Sequence, residues 1–268
     1  MKITIIGAGN IGSAIAHGLA KGSRVSSSDI TCTVQTEESF DRLTNNPDFR
    51  FKLTRNNMEA VKDADVIILA VKPWRIEEVI AQIRTVLNFD KQIIVSVAAG
   101  ITFDQLNSFL THKADYDYIS LPPVFRVMPN TAIEVMSSMT FVSASNANEE
   151  QTNLVLDLFR ELGNAMLVEE RLMGPGTALA SSGIAFAMRY MRAAIEGGVE
   201  LGFYPKEAQE IVVHTVKGAV DLLLTNKSNP ETEIDKVTTP GGVTIRGLNE
   251  MELSGFTSSV IRGLKASK

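Results

Sequence analysis

The chain reads Lys2-Ile3-Thr4-Ile5-Ile6-Gly7-Ala8-Gly9-Asn10-Ile11-Gly12, a strand, a glycine turn and the start of a helix. Residues 2–6 read as a strand by their β-branched content. The periodicity that follows, with Ala14, Ile15, Gly18 and Leu19 on one face, predicts a helix over 11–21. Three glycines stand between and within them. Gly7 permits a tight turn off the strand, Gly9 lets the backbone approach a pyrophosphate, and Gly12 permits close helix packing. The helix N-terminus then presents its N–H groups to phosphates. Glycines also end strands in proteins that bind nothing. Here they follow a strand and open a helix, the context a dinucleotide site requires.

Working outward, the alternation continues. Residues 29–34, 66–71, 93–97, 124–128, 140–142 and 166–168 read as further strands, and Thr102 is placed to cap a helix at 103–110. This spacing predicts an α/β fold with an N-terminal Rossmann-type, doubly wound, mostly parallel sheet. From about Arg171 the strand signal ends. Residues 172–201 read as one long helix closed by Gly202, and Pro205 opens another that runs to about Leu224. Residues 226–237 read as polar and turn-rich, followed by shorter helices at 244–253 and 257–265 parted by Gly255. The expected division is a dinucleotide-binding domain at 1–169 and an all-α domain at 170–268.

A chain of 268 residues has length enough for two cores. Apolar residues at 44% and charged residues at 21% are ordinary for a soluble globular protein. A net charge of -5 offers no basic field to nucleic acid. The single cysteine, Cys32, precludes an internal disulfide and fits a reducing, cytoplasmic compartment. The start runs straight into the glycine motif, so no targeting segment is expected. The most apolar stretch, 178–199, contains Arg189, Arg192 and Glu196, which makes it a buried helix rather than a membrane span. Gly197-Gly198 within it costs helix stability, and close helix approach at a dimer interface would explain it. His17, His112 and His214 are scattered without ligand spacing, so no metal is expected.

In an open α/β sheet, ligands lie beyond the carboxyl ends of the strands. The second strand ends in Thr33-Val34-Gln35-Thr36, with Glu37 and Glu38 just beyond. Hydroxyl and amide groups there accept a 2′-phosphate without repelling it, although no arginine is adjacent to clamp it. Glu37 turned inward would instead hold the ribose hydroxyls of NAD. NADP(H) is favoured, and NAD(H) stays open. Ala70-Val71-Lys72-Pro73 closes the next strand, where Pro73 cannot continue the ladder. A lone lysine at a strand exit is ordinarily solvated, but Ser96 to Gly100 and Arg126 to Thr131 form two more such exits. The residues expected to hold the cofactor are Gly7, Gly9, Asn10, Ile11, Gly12, Thr36, Ala70, Val71, Lys72, Pro73, Ala98 and Asn130.

A second motif lies far downstream, Thr238-Thr239-Pro240-Gly241-Gly242-Val243-Thr244-Ile245. With residues 7–14, 70–73, 96–101 and 126–131 in that order, it gives a sequence that resembles the pyrroline-5-carboxylate reductase family over nearly its whole length. The resemblance implies NAD(P)H-dependent reduction of the cyclic imine 1-pyrroline-5-carboxylate to proline. It also implies a helical dimerisation domain that interlocks with its copy in a homodimer or higher homo-oligomer, with no nucleic-acid or membrane partner. In the family the proline-glycine-glycine loop holds the substrate carboxylate, and a threonine at the next helix start bonds the ring nitrogen. By similarity these roles fall on Thr238, Thr239, Gly241, Gly242 and Thr244, with Thr244 as the catalytic contact. Free N–H groups at a helix N-terminus suit a carboxylate, while a plain helix cap is the alternative reading of the loop alone. Two stretches depart from the family. Ser181-Ser182-Gly183-Ile184-Ala185-Phe186 stands where the family shows glycine-serine-glycine-proline-alanine-tyrosine, and Asn229-Pro230 where it often shows histidine-proline. The first departure keeps open a related NADP-dependent imine reductase with another substrate, or a non-enzymatic NADP-binding protein.

Overall fold

Short apolar runs that are buried on both faces build the centre of the molecule, as parallel strands covered by helices require. The computed structural model describes residues 1–45, 47–111 and 121–267, so His112 lies outside the described residues. The chain forms two compact units, Met1–Ser181 and Ser182–Lys268.

The first unit runs β1 (Ile3–Ile6), α1 (Asn10–Lys21), β2 (Ile30–Thr33), α2 (Glu37–Thr44), β3 (Lys52–Thr54), α3 (Asn57–Val61), β4 (Val66–Leu69) and α4 (Ile76–Ile83). It continues with β5 (Ile93–Ser96), α5 (Phe103–Leu110), β6 (Val124–Met128), β7 (Ser138–Ser145), α6 (Glu149–Arg160) and β8 (Gly163–Leu167), then the single turn α7 (Met173–Gly176). The strands form one sheet in the order β3-β2-β1-β4-β5-β6-β7-β8. Among the described residues every pairing is parallel except β6 with β7. In register, Ile5 pairs with Cys32 on one side and Ile68 on the other.

Side chains alternate across this sheet, as a period of two dictates. Val66 and Ile68 join Ile15 and Leu19 of α1 and Val155 and Phe159 of α6 in one core. Ile67 and Leu69 join Ile76, Ile80 and Ile83 of α4 and Leu106 of α5 in the other. Each such side chain, fully buried, contributes about 1.5–3 kcal/mol. Thr102 caps α5 in a reciprocal box, its Oγ1 accepting from the Gln105 N–H at 3.3 Å. The expected strand at 140–142 is longer, Ser138–Ser145.

The single long helix expected at 172–201 is instead three segments: α7, a π-helical stretch over Thr177–Ser182, and α8 (Gly183–Glu200). Pro175 lacks an N–H, and the Thr177 hydroxyl donates to the Met173 carbonyl at 2.8 Å, so the regular ladder is disturbed here. By its contacts, the stretch up to Ser181 belongs to the first unit. Glu170 anchors it: one carboxylate oxygen accepts from the Phe103 N–H and from buried Arg126, both at 2.7 Å.

In the second unit α8 is followed by α9 (Pro205–Asn226), α10 (Pro230–Val237), α11 (Val243–Leu253) and α12 (Phe256–Ala266). Gly202, with φ +107°, closes α8 as expected. The expectation of turns across 226–237 is corrected by α10. Asn229 accepts from the Thr232 N–H at 3.0 Å, and Pro230 occupies the first helical position, a start signal embedded in a polar stretch. Of the close approach expected at Gly197-Gly198, that of Gly198 is made within the chain, where a Cβ would stand 3.1 Å from the Ala208 Cβ of α9, while a Cβ on Gly197 would meet nothing within 4 Å. The expectation of a buried helix at 178–199 holds at Ala178 but not along α8 within one chain. None of α8 is fully buried, and Met188 and Tyr190 are exposed along it. No helix among the described residues is long and apolar enough to cross a membrane.

Candidate functional site

The carboxyl ends of β1, β2, β4 and β5 converge on a cleft of about 510 Å³. The strand order brings β2 and β4 to either side of β1, so loops distant in sequence meet here. Gly7 has φ +95°, where a side chain is strained, and a Cβ there would also press on Val71 Cγ1 at 2.6 Å. The turn is tied to β2 by the Gly7 N–H, which donates to Thr33 Oγ1 at 3.2 Å, and by the Ala8 N–H, which donates to the Thr33 carbonyl at 3.1 Å. At Gly12 a Cβ would stand 2.2 Å from the Gly7 carbonyl oxygen, so α1 lies directly on its own approach turn. Beside Gly9 nothing lies within 4 Å of where a Cβ would be. No side chain caps α1, which leaves its first N–H groups for an anion. Open space at Gly9 against uncapped amides fits the pyrophosphate of a dinucleotide.

Of the residues assigned to the cofactor from sequence, Gly7, Gly9, Asn10, Ile11, Ala70, Val71, Lys72, Pro73 and Ala98 line this one cleft. Gly12 stands behind it in helix packing. Thr36 caps α2, its Oγ1 accepting from the Ser39 N–H at 3.2 Å. Asn130 is buried apart from the cleft lining, where its side chain accepts from the Ala132 N–H at 3.1 Å and donates to the Ala180 carbonyl at 3.4 Å.

The cleft also holds residues that the sequence did not single out. No arginine adjoins the tip of β2 along the sequence, but two stand beside it in space. Arg42 reaches the cleft from α2 and Arg75 from the turn after β4. Arg42 donates to Asn10 Oδ1 and pairs with Glu38 at 2.7 Å. Arg75 donates to Gln35 Oε1 at 3.3 Å and pairs with Glu78 at 3.3 Å. Glu37, the candidate ligand for an NAD ribose, pairs with Arg55 at 2.6 Å and does not line the cleft. Asn57 lines it with a buried Oδ1 that has no hydrogen-bond partner among the described residues, while its Nδ2 donates to Gln82 at 3.0 Å.

In the second unit, Thr238 to Gly242 link α10 to α11. Gly241 has φ +70°, and the Gly242 N–H donates to the Thr239 carbonyl at 2.9 Å. Of the loop residues expected to hold the carboxylate, Gly242 has its N–H engaged by the turn itself. A Cβ on Gly242 would stand 2.6 Å from Thr239 Oγ1, so the turn closes tightly. No side chain caps α11, so the amides of Val243 and Thr244 in its first turn are not taken by a cap. Thr244 is half-buried on that turn.

Strand order, glycine turn and cleft define a dinucleotide-binding protein of the Rossmann type joined to a helical unit. Residues 170–268 match the sequence model for pyrroline-5-carboxylate reductase dimerisation, and residues 2–100 match that for NADP oxidoreductase, coenzyme F420-dependent. The chain is 34% identical to pyrroline-5-carboxylate reductase 2 of Dictyostelium discoideum, over 99% of this chain and 90% of that one. It is 35% identical to pyrroline-5-carboxylate reductase 1 of the same organism over 99% of its own length, but spans 48% of that longer protein. The solved pyrroline-5-carboxylate reductase of Coxiella burnetii superposes with a TM-score of 0.88 at 28% identity, covering 99% of this chain and 95% of that one. The chain belongs to the pyrroline-5-carboxylate reductase family.

Proposed function

We propose that this protein reduces 1-pyrroline-5-carboxylate to proline with NADPH, as a homodimer of a cytoplasmic enzyme. The observation that carries the reading is the continuity of the family likeness across both the glycine cleft and the Thr238–Thr244 loop. NADPH, when bound, supplies a hydride to the imine carbon. The chain's part is to bind, align and exclude water. The uncapped start of α1 receives the pyrophosphate, and Lys72 with the strand-exit loops lines the same cleft. The first-turn amides of α11 hold the substrate carboxylate, and the Thr244 hydroxyl hydrogen-bonds the ring nitrogen. Protonation of that nitrogen makes the carbon electrophilic. As the carbon gains its hydrogen, the C=N π pair becomes a lone pair on nitrogen, which takes a proton from water. Among the described residues no histidine lines the cleft, and this chemistry does not call for a protein base.

The apolar faces of α8, α11 and α12, uncovered in one chain and spanned by the dimerisation model, are assigned to the partner copy. Steady-state NADPH oxidation with a panel of cyclic imines tests the reading. Turnover of 1-pyrroline-5-carboxylate is expected. Activity confined to larger imines would assign a related imine reductase instead, and tight NADPH binding without turnover of any imine would make the chain a binding protein.

A further inference from the structure

We propose that Arg42 and Arg75 form a two-guanidinium clamp on the 2′-phosphate of NADP(H) and set its preference over NAD(H). This inference rests on the cleft being the cofactor site. At the tip of β2 a free carboxylate would bind the ribose hydroxyls of NAD. This chain has two carboxylates there, and arginine engages both. Glu37 is held by Arg55 at 2.6 Å, away from the cleft lining. Glu38 lines the cleft but pairs with Arg42 at 2.7 Å. Arg42 thus acts twice: it occupies the acceptor that NADH would use, and it offers donors to a phosphate.

Its second anchor is Asn10, the first residue of α1, which fixes the guanidinium beside the pyrophosphate turn. Arg75 enters from the far side of the same cleft. Its bonds to Gln35 and Glu78 are all 3.3 Å, at the long end for N–H···O. A dianionic phosphate draws it away at little loss. Two guanidinium forks match the geometry of a phosphate better than any neutral tip.

The test uses the full chain, calorimetry, and two fragments that differ only in the 2′-phosphate: adenosine 2′,5′-bisphosphate and 5′-AMP. Arg42→Gln and Arg75→Gln should each weaken adenosine 2′,5′-bisphosphate and NADPH about ten- to a hundredfold, the range for charge-assisted bonds. Affinity for 5′-AMP should hold, and NADH affinity should hold or tighten in Arg42→Gln, where Glu38 is released. Retained 5′-AMP binding also certifies the fold. If both variants bind the bisphosphate like wild type, or lose 5′-AMP equally, the clamp is wrong while the cleft remains the cofactor site. If wild type binds neither NADPH nor NADH, the cleft reading falls and the clamp with it.

Discussion

At Gly9 a methyl group meets no protein atom within 4 Å, so alanine there leaves the free protein intact and obstructs only what must approach the backbone. Gly9→Ala is therefore expected to keep its thermal unfolding midpoint and lose NADPH affinity sharply. Unchanged affinity in a titration would remove this turn from the site. Thr244 carries the counterpart claim in the helical unit. Thr244→Val keeps the shape and removes the hydroxyl, and a hydrogen bond to a charged group contributes roughly 1.5–3 kcal/mol. Since each 1.36 kcal/mol is about tenfold in rate, kcat/KM should fall about ten- to a hundredfold with NADPH affinity unchanged. Wild-type turnover would move the substrate off this loop. The Gly9 turn is legible because glycine spacing states backbone geometry directly, whereas the role of Thr244 comes from the family resemblance. Arg42, Arg75 and Asn57 are not legible, because only the β2-β1-β4 order brings their loops together.

Elements were legible where a local signal coincided with burial. The apolar runs of β1, β4 and β5 and the Thr102 cap announce themselves. β3 is three residues, Lys52–Thr54, at the sheet edge, and has too little apolar pattern to detect. α10 was hidden by its polarity, although Asn229-Pro230 is a start signal by itself. Strand β2 offers an experiment at this scale. Cys32 sits on it fully buried, and burial pushes its thiol up to about 12. The neutral thiol should resist a maleimide at neutral pH and react only as the strand is exposed, since the thiolate is the nucleophile. Labelling under native conditions, measured by mass, should track unfolding as denaturant is raised. Rapid labelling of the native protein would contradict the placement of β2 inside the sheet.

For the whole molecule, the helical half and its need for a partner are legible in the sequence, but which residues stay exposed in one chain is not. The stretch 178–199 reads as buried because it is apolar, and within one chain α8 buries no residue fully. Periodicity reports that a face must be covered, not which chain covers it. Phe256 of α12, half-exposed and edge-on to Tyr190 of α8 at 6.4 Å, lies on that apolar surface. Phe256→Asp places a charge where a partner copy should pack, so sedimentation should show monomers while helical circular dichroism persists. A variant that sediments like wild type would put the dimer surface elsewhere.

Direct reduction of 1-pyrroline-5-carboxylate can be followed with NADPH carrying deuterium at both C4 positions of its nicotinamide. Incubated with the protein and this imine, it should yield proline bearing one deuterium at the δ carbon, the former imine carbon, by mass spectrometry. Absence of proline, or proline without deuterium at that carbon, would contradict the account.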